Sequence, residues 1–216
     1  MNRILTASRN VSSMPKIIDK AGFDKKLQIP SKNKEHTAAF VENGVQTFEL
    51  SRYVVPHGYK FLKSLNKDQY RLIAESGEGS ETVYLVELRF RKDIIFGKTT
   101  CTQIKVWRTR EPEHRNAIRD LPRTFFQNLL EVHSIVVTDE EQTMDGKGFW
   151  ADMILWAFSQ KYHVYASDCG EMDRPLTLIK DTEDFYNHWD EFCWGFDADV
   201  HTHRLVVISK DSLPEQ

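Results

Sequence analysis

The chain lacks the features of a secreted or membrane protein. It has only three cysteines, an odd number with no CxxC spacing, which is typical of a reduced intracellular protein and not of a disulfide scaffold. Its apolar runs are too short to span a membrane, and its N-terminus has no apolar segment of the kind found in secretory signals. We therefore expect a cytoplasmic protein with no membrane partner.

A strong excess of either charge is also absent. The formal net charge is -3, which gives no global reason to expect a nucleic-acid partner. Eight basic and three acidic residues lie in 1–38, whereas ten acidic and two basic residues lie in 168–199, and we interpret both segments as solvated surfaces. Basic and aromatic residues alternate over 85–115, a composition that suits single-stranded nucleic acid, although exposed faces of a hairpin explain it more simply.

The composition indicates one globular domain. The chain has 216 residues, of which 40% are hydrophobic and 28% charged, enough to build a sizeable core with an ordinary polar surface. Residues 1–38 mix Ser, Asn and Lys with little apolar periodicity, so we predict a poorly ordered basic arm there. A single domain is predicted over residues 39–216.

Hydrophobic periodicity predicts an α/β protein of the mixed α+β type, with a mainly antiparallel central sheet flanked by helices. Alternation over Thr82–Phe90 and Thr99–Trp107 predicts an antiparallel hairpin that puts Cys101, Gln103, Lys105 and Trp107 on one face of its second strand. We also predict a strand within 40–55, helices over 59–76, 111–130 and 181–193, and strands over 163–168 and 204–210.

The most informative stretch covers residues 131–160. Val132–Val137 is β-branched and predicts a buried strand, and the apolar run Phe149–Gln160 predicts a buried helix. Between them, Gly146 and Gly148 predict a tight loop. A helix that begins at such a loop can hold a phosphate or carboxylate with its first amide groups, although a purely structural turn also explains a lone GxG.

This order of helix, hairpin, strand, glycine loop, buried helix, strand, helix and strand resembles the Gcn5-related N-acetyltransferase fold over roughly residues 40–210. In that family the strand before the glycine loop splays from its neighbour, its backbone pairs with the pantetheine of acetyl-coenzyme A, and the loop amides hold the pyrophosphate. The resemblance implies acetyl-coenzyme A or another acyl-coenzyme A as cofactor. It places the splay between the strands at 132–137 and 163–168. The cofactor-binding residues that it implies are Ile135, Val136, Val137, Thr143, Gly146, Lys147, Gly148 and Phe149.

The phosphate loop of the chain departs from the family's motif. The family has Gln or Arg three residues before the first glycine, whereas this chain has Thr143. Asp145 could cap the helix, and Lys147 adds a cation beside a bound anion. We expect this loop to distinguish two functions. An intact phosphate loop indicates an enzyme, whereas a degenerate one indicates a non-catalytic protein on the same scaffold that binds a protein or nucleic acid through its charged surfaces.

Acyl transfer to an amine needs a base for the amine proton and an acid for the leaving thiolate. Glu131 and His133 lie two residues apart on the predicted central strand, so they would share a face, and either could act as base through an ordered water. Tyr186 is the predicted acid, because the family often uses a tyrosine in the corresponding helix. A structural role remains open for each residue: Glu131 could end the preceding helix, His133 could be a core histidine, and Tyr186 could be a packed aromatic.

Two further patterns do not lead to a site. Cys169 follows a predicted strand, but no nucleophile motif surrounds it, so a small residue in a turn is favoured. His201 and His203 have a spacing that can chelate a metal, yet no further ligand completes the set, and we predict no metal site. The sequence therefore predicts an N-acyltransferase and leaves its amine acceptor open between a small molecule, a protein and a nucleobase.

Overall fold

The computed structural model describes residues 16–17, 25–77, 79–95, 97–137, 141–142, 144–168, 175–194 and 204–214. The strands are β1 (Lys16–Ile17), β2 (Val45–Thr47), β3 (Tyr59–Ser64), β4 (Gln69–Ala74), β5 (Glu81–Arg91), β6 (Thr100–Arg108), β7 (Ser134–Val137), β8 (Glu141–Gln142), β9 (His163–Asp168), β10 (Thr177–Ile179) and β11 (Arg204–Ser209). The helices are α1 (Lys25–Gln28), α2 (Pro30–Glu42), α3 (Arg115–Ile118), α4 (Leu121–Leu130), α5 (Met144–Ser159), α6 (Thr182–Asp184) and α7 (Asp190–Cys193), with a 3₁₀ turn at Pro112–His114 and a π-helical turn at Phe185–Trp189.

Nine of these strands form one open sheet in the order β10-β9-β11-β7-β6-β5-β4-β3-β2. Its described neighbours pair antiparallel except β6 and β7, which are parallel. The short strands β1 and β8 pair separately. The predicted fold class, a mixed α+β domain with a mainly antiparallel sheet flanked by helices, is confirmed.

Helices cover the two faces of the sheet. On one face, Phe40 of α2 packs against Leu62 and Ile73. On the other face lie α4 and α5: the ring of Phe125 in α4 is 4.9 Å from the ring of Tyr70 in β4. Phe126 of α4 also contacts Trp150 of α5, with ring centroids 5.0 Å apart. No helix within the described ranges combines the length and apolar character needed to cross a membrane.

The predicted helix over 59–76 is wrong, because this segment forms the antiparallel hairpin β3-β4. All six residues of β4 are buried, since helices cover both faces of the sheet at this strand. A strand buried on both faces does not alternate between apolar and polar residues. Arg71 also makes this strand hard to recognise from the sequence, because it is a charged residue that is buried. It lies beneath α2 with its guanidinium 4.3 Å from the Phe40 ring.

The predicted boundary between the arm and the domain, at residues 38 and 39, falls inside α2. This helix begins at Pro30, a residue that suits the first turn because its missing N–H is not needed there. The buried side chains of Asn33 and Thr37 bond to Thr82 at the start of β5. Residues 30–38 therefore belong to the domain, while 1–15 and 18–24 lie outside the described residues.

The predicted boundary between the glycine loop and α5 is also wrong. The helix begins at Met144 and not at Phe149, so Gly146 and Gly148 lie in its first turns. Neither glycine has a positive φ, and a Cβ at Gly148 would have no neighbouring atom within 4 Å. The apolar helix therefore extends through both glycines, and Thr143 lies outside the described residues.

Candidate functional site

The parallel strands β6 and β7 stay together over only part of their length. Their register pairs Thr100–Thr102 with Ser134–Val136. β6 then continues to Arg108, whereas β7 ends one residue later at Val137. Within the described residues, six positions of β6 therefore extend beyond the last register pair with β7.

β6 contains a bulge near the end of this register. Gln103 of β6 pairs with Leu88 of β5, but Lys105 pairs with the adjacent Glu87, so Ile104 is an extra residue on β6. A β-bulge bends its strand and increases the local twist. The bulge lies two residues after Thr102, just beyond the point where the register with β7 ends.

β11 holds the other edge of β7. Ile135, Val136 and Val137 pair in continuous register with Ile208, Val207 and Val206. All three β7 side chains are buried. We use the name slot for the space beside the β6 edge over residues 103–108, beyond the last register pair with β7. Its narrow end is the pair of Thr102 and Val136, and its wide end is the carboxyl end of β6.

The splay predicted between 132–137 and 163–168 is wrong, because these strands are not neighbours. β11 lies between β7 and β9 and pairs antiparallel with both. The parallel pair whose register ends early is instead β7 and β6, one strand away. The segment that forms β11 comes near the end of the chain, so the order of elements along the sequence did not reveal its insertion.

One polar atom at the narrow end of the slot lacks a partner. Thr102 is the last β6 residue in register with β7, and its Oγ1 is buried without a hydrogen bond. Buried hydroxyl groups are almost always satisfied, because leaving one unpaired costs about 1 to 3 kcal/mol. The Thr102 hydroxyl is therefore a candidate contact for a bound ligand.

Two cations lie near the wide end of the slot, each paired with a carboxylate. The carboxyl ends of two parallel strands lie at the same edge of a sheet, so the residues after β6 meet the start of α5 there. Nη2 of Arg110 is 3.5 Å from Oδ2 of Asp145 in the first turn of α5. Nζ of Lys147 is 3.9 Å from Oδ2 of Asp190. These long, partly exposed ion pairs are weak, so an incoming anion could replace the carboxylates.

The predicted bases Glu131 and His133 both precede β7, so the expectation that they share a face of this strand is wrong. Glu131 caps the end of α4, and its Oε2 accepts a bond of 2.5 Å from Nζ of Lys210. This hydrogen bond lowers the pKa of Glu131, which disfavours a role as base. The His133 ring lies 4.9 Å from the Phe90 ring, and both predicted bases precede the paired stretch of β7, so the paired residues separate them from the slot.

The other predicted site residues have different surroundings. Tyr186, the predicted acid, is 53% exposed in the π-helical turn and contacts the Phe185 ring at 5.3 Å. Phe149 packs edge to face against Trp150 and near Phe126, so its ring belongs to the interface between α4 and α5. Gly146, Lys147 and Gly148 lie in the first turns of α5, near the wide end of the slot. Cys169, His201 and His203 lie outside the described residues.

Sequence reasoning missed a cluster at this same edge of the sheet. One ligand atom from each of Glu81, Glu113 and His114 lies within 4.8 Å of the others. Glu81 is 33 positions from His114 in sequence, and only the pairing of β5 with β6 brings them together. No local spacing motif could have identified the cluster.

The chain was compared with protein-family models, with curated proteins and with solved structures, and none of the three comparisons found a match. A function has to be argued from the geometry of the slot.

Proposed function

We propose that this protein is an acyltransferase of the Gcn5-related type, which binds a coenzyme A thioester between β6 and β7 and transfers its acyl group to an amine. The observation that carries the proposal is that the parallel register of β6 and β7 ends after three pairs, while β6 continues for six more residues. A slot of this kind is what the resemblance implies for the pantetheine arm, although it lies one strand away from the expected place.

The residues of the slot fit an extended chain with amide groups, such as pantetheine. Such a chain can pair with an exposed strand edge through backbone hydrogen bonds. Val137 continues the β7 edge beyond the last register pair with β6, and it is held straight by Val206. The buried Thr102 hydroxyl would supply a further hydrogen bond at the narrow end.

The wide end fits the phosphate groups. α5 begins at Met144, and the helix dipole is positive at this end. Arg110 and Lys147 add two cations, each in contact with a carboxylate at 3.5 Å or more. A diphosphate would offer both side chains shorter, charge-assisted bonds than Asp145 and Asp190 do.

When bound, the thioester supplies an activated acyl group for attack by an amine. The chain must then provide a donor to the acyl carbonyl oxygen, a base for the amine proton and an acid for the thiolate. The bulge residue Ile104 has no register partner on β5, so its N–H group is our candidate for the donor. Tyr186 remains the predicted acid, and His133 is the better of the two predicted bases because its side chain is not bound by Lys210.

Thermal unfolding in the presence of coenzyme A tests the proposal. A ligand at about 100 times its dissociation constant stabilises the native state by roughly 2.7 kcal/mol. We expect such a shift in the wild type and in Thr47→Val, a control at the exposed far edge of the sheet. Thr102→Val should weaken coenzyme A binding about five- to tenfold, because one neutral hydrogen bond is lost.

The absence of any shift at millimolar coenzyme A would contradict the proposal. That outcome is what the alternative predicts, namely a non-catalytic protein on the same scaffold that binds a protein or nucleic acid through its charged surfaces. If coenzyme A binds, acyl transfer is then measured with amines of the three acceptor classes: small molecules, proteins and nucleobases.

A further inference from the structure

We propose that Glu81, Glu113 and His114 form a binding site for a divalent transition-metal ion, with Zn²⁺ as the expected occupant. The site is distinct from the slot and does not depend on the proposed acyltransferase activity. Glu81 begins β5, and the other two residues lie in the 3₁₀ turn that follows β6.

The distances between the side-chain atoms fit a metal site as well as they fit long hydrogen bonds. Nε2 of His114 is 3.2 Å from Oε1 of Glu81 and 3.3 Å from Oε1 of Glu113. Charge-assisted N–H···O bonds are usually about 2.7 to 2.9 Å long. A tetrahedral Zn²⁺ ion with bonds of about 2.0 to 2.1 Å separates its ligand atoms by roughly 3.3 Å.

The number of hydrogens on the His114 ring also favours a metal ion. Nε2 carries at most one hydrogen, yet both carboxylates converge on this one nitrogen. An imidazolium would neutralise only one of the two carboxylates, whereas a divalent cation neutralises both. His114 is only 6% exposed, so solvent screens this charge poorly.

Tyr59 completes the arrangement behind the histidine. Its hydroxyl is 2.9 Å from Nδ1 of His114, and the two rings meet edge to face. A metal-bound histidine usually donates its other ring N–H to an oxygen atom, which fixes the ring and the tautomer. The phenol oxygen of Tyr59 is within reach to accept this bond.

The ligand set selects among metals. One imidazole nitrogen and two carboxylate oxygens suit Zn²⁺ and Co²⁺, whereas Ca²⁺ and Mg²⁺ prefer oxygen ligands alone. Glu113 is 74% exposed on its side chain, so a water molecule can fill the fourth position. A bound ion would fasten the turn after β6 to the start of β5, beside the wide end of the slot.

Titration of the chelator-treated protein with Co²⁺ tests the site, because tetrahedral Co²⁺ has a characteristic visible absorption. We expect one Co²⁺ per chain, displaced by Zn²⁺. The decisive variant is Glu113→Gln, which removes an exposed ligand without disturbing the core, and its matched control is Glu111→Gln on the same turn. Glu113→Gln should weaken binding by at least about tenfold, and Glu111→Gln should not change it.

Tyr59→Phe provides a second readout. It removes the oxygen behind His114 and leaves all three ligands in place. We therefore expect the affinity for Co²⁺ to fall by about tenfold. A protein that binds no Co²⁺ at micromolar concentration would overturn the proposal. Equal binding by wild type and Glu113→Gln would also overturn it, as would loss of binding in the double variant His201→Ala, His203→Ala.

Discussion

Thr102 of β6 and Val136 of β7 form the last register pair of the parallel strands, and the bulge at Ile104 follows two residues later. The slot begins at this pair, where β7 remains paired with β11 and β6 continues alongside β5. The hydroxyl of Thr102 is left without a hydrogen bond at the same place. The proposed ligand site therefore begins where the register of β6 with β7 ends.

Gly148→Ala should stabilise the protein by about 0.5 to 1 kcal/mol, because alanine is the better helix former. A Cβ at this position meets no neighbouring atom. Gly58 is the matched control, since its Cβ would also point into open space but its φ is +82°. Gly58→Ala should destabilise by about 1 to 2 kcal/mol. Urea unfolding of both variants checks this difference, and a destabilised Gly148→Ala would contradict the helical assignment.

Asn33→Ala should destabilise the domain by about 2 to 4 kcal/mol, since it leaves buried backbone groups without partners. The Asn33 amide donates to the carbonyls of Leu27 and Thr82 and accepts from the Thr82 N–H. Asn43→Ala is the control, because Asn43 is exposed and bonds within its own helix end. Chemical denaturation should separate the two variants clearly, and similar midpoints would show that α2 is not fastened to β5 in this way.

The ion pair of Glu131 and Lys210 should contribute stability that depends on pH. The hydrogen bond from Lys210 lowers the pKa of Glu131 below its ordinary value of 4.5. A lowered pKa in the folded state means that the stabilisation is present above the ordinary value and is lost as the pH falls through the folded value. Glu131→Gln should therefore be less stable than wild type at neutral pH and equal to it in strong acid. A constant difference across this range would contradict the assignment.

Cys101 and Cys193 should resist alkylation in the native protein. Burial raises the pKa of the Cys101 thiol to about 12, and it also raises the pKa of the Cys193 thiol. Because the thiolate is the reactive form, iodoacetamide should modify neither residue until the protein unfolds. Peptide mapping by mass spectrometry gives the result. Modification of Cys101 under native conditions would show that β6 opens locally near the slot.

Elements with a local signature were predictable from the sequence. The hairpin of β5 and β6 shows clear alternation, and its antiparallel pairing is confirmed. Pro122 lies in the first turn of α4, a position that suits proline, and α4 falls within the helix predicted over 111–130. These features depend only on residues close together in the chain, which is why pattern and propensity suffice for them.

Features that depend on distant parts of the chain were not predictable. The bulge at Ile104 breaks the expected alternation of β6: Trp107 packs with Leu27 and Leu85, while Cys101 belongs to the main core. Nothing in the strand itself marks this extra residue, because it is defined by the pairing with β5. The insertion of β11 beside β7 and the cluster around His114 were not predictable for the same reason: each depends on residues that are far apart in the sequence.

Amide hydrogen exchange with and without coenzyme A tests the central claim most directly. The proposal predicts that coenzyme A slows exchange in the second half of β6, over residues 103–108, and at Val137 of β7. Exchange in β3 and β4, far from the slot, should not change beyond the general stabilisation. If coenzyme A leaves β6 and Val137 unchanged, the slot between β6 and β7 is not its binding site.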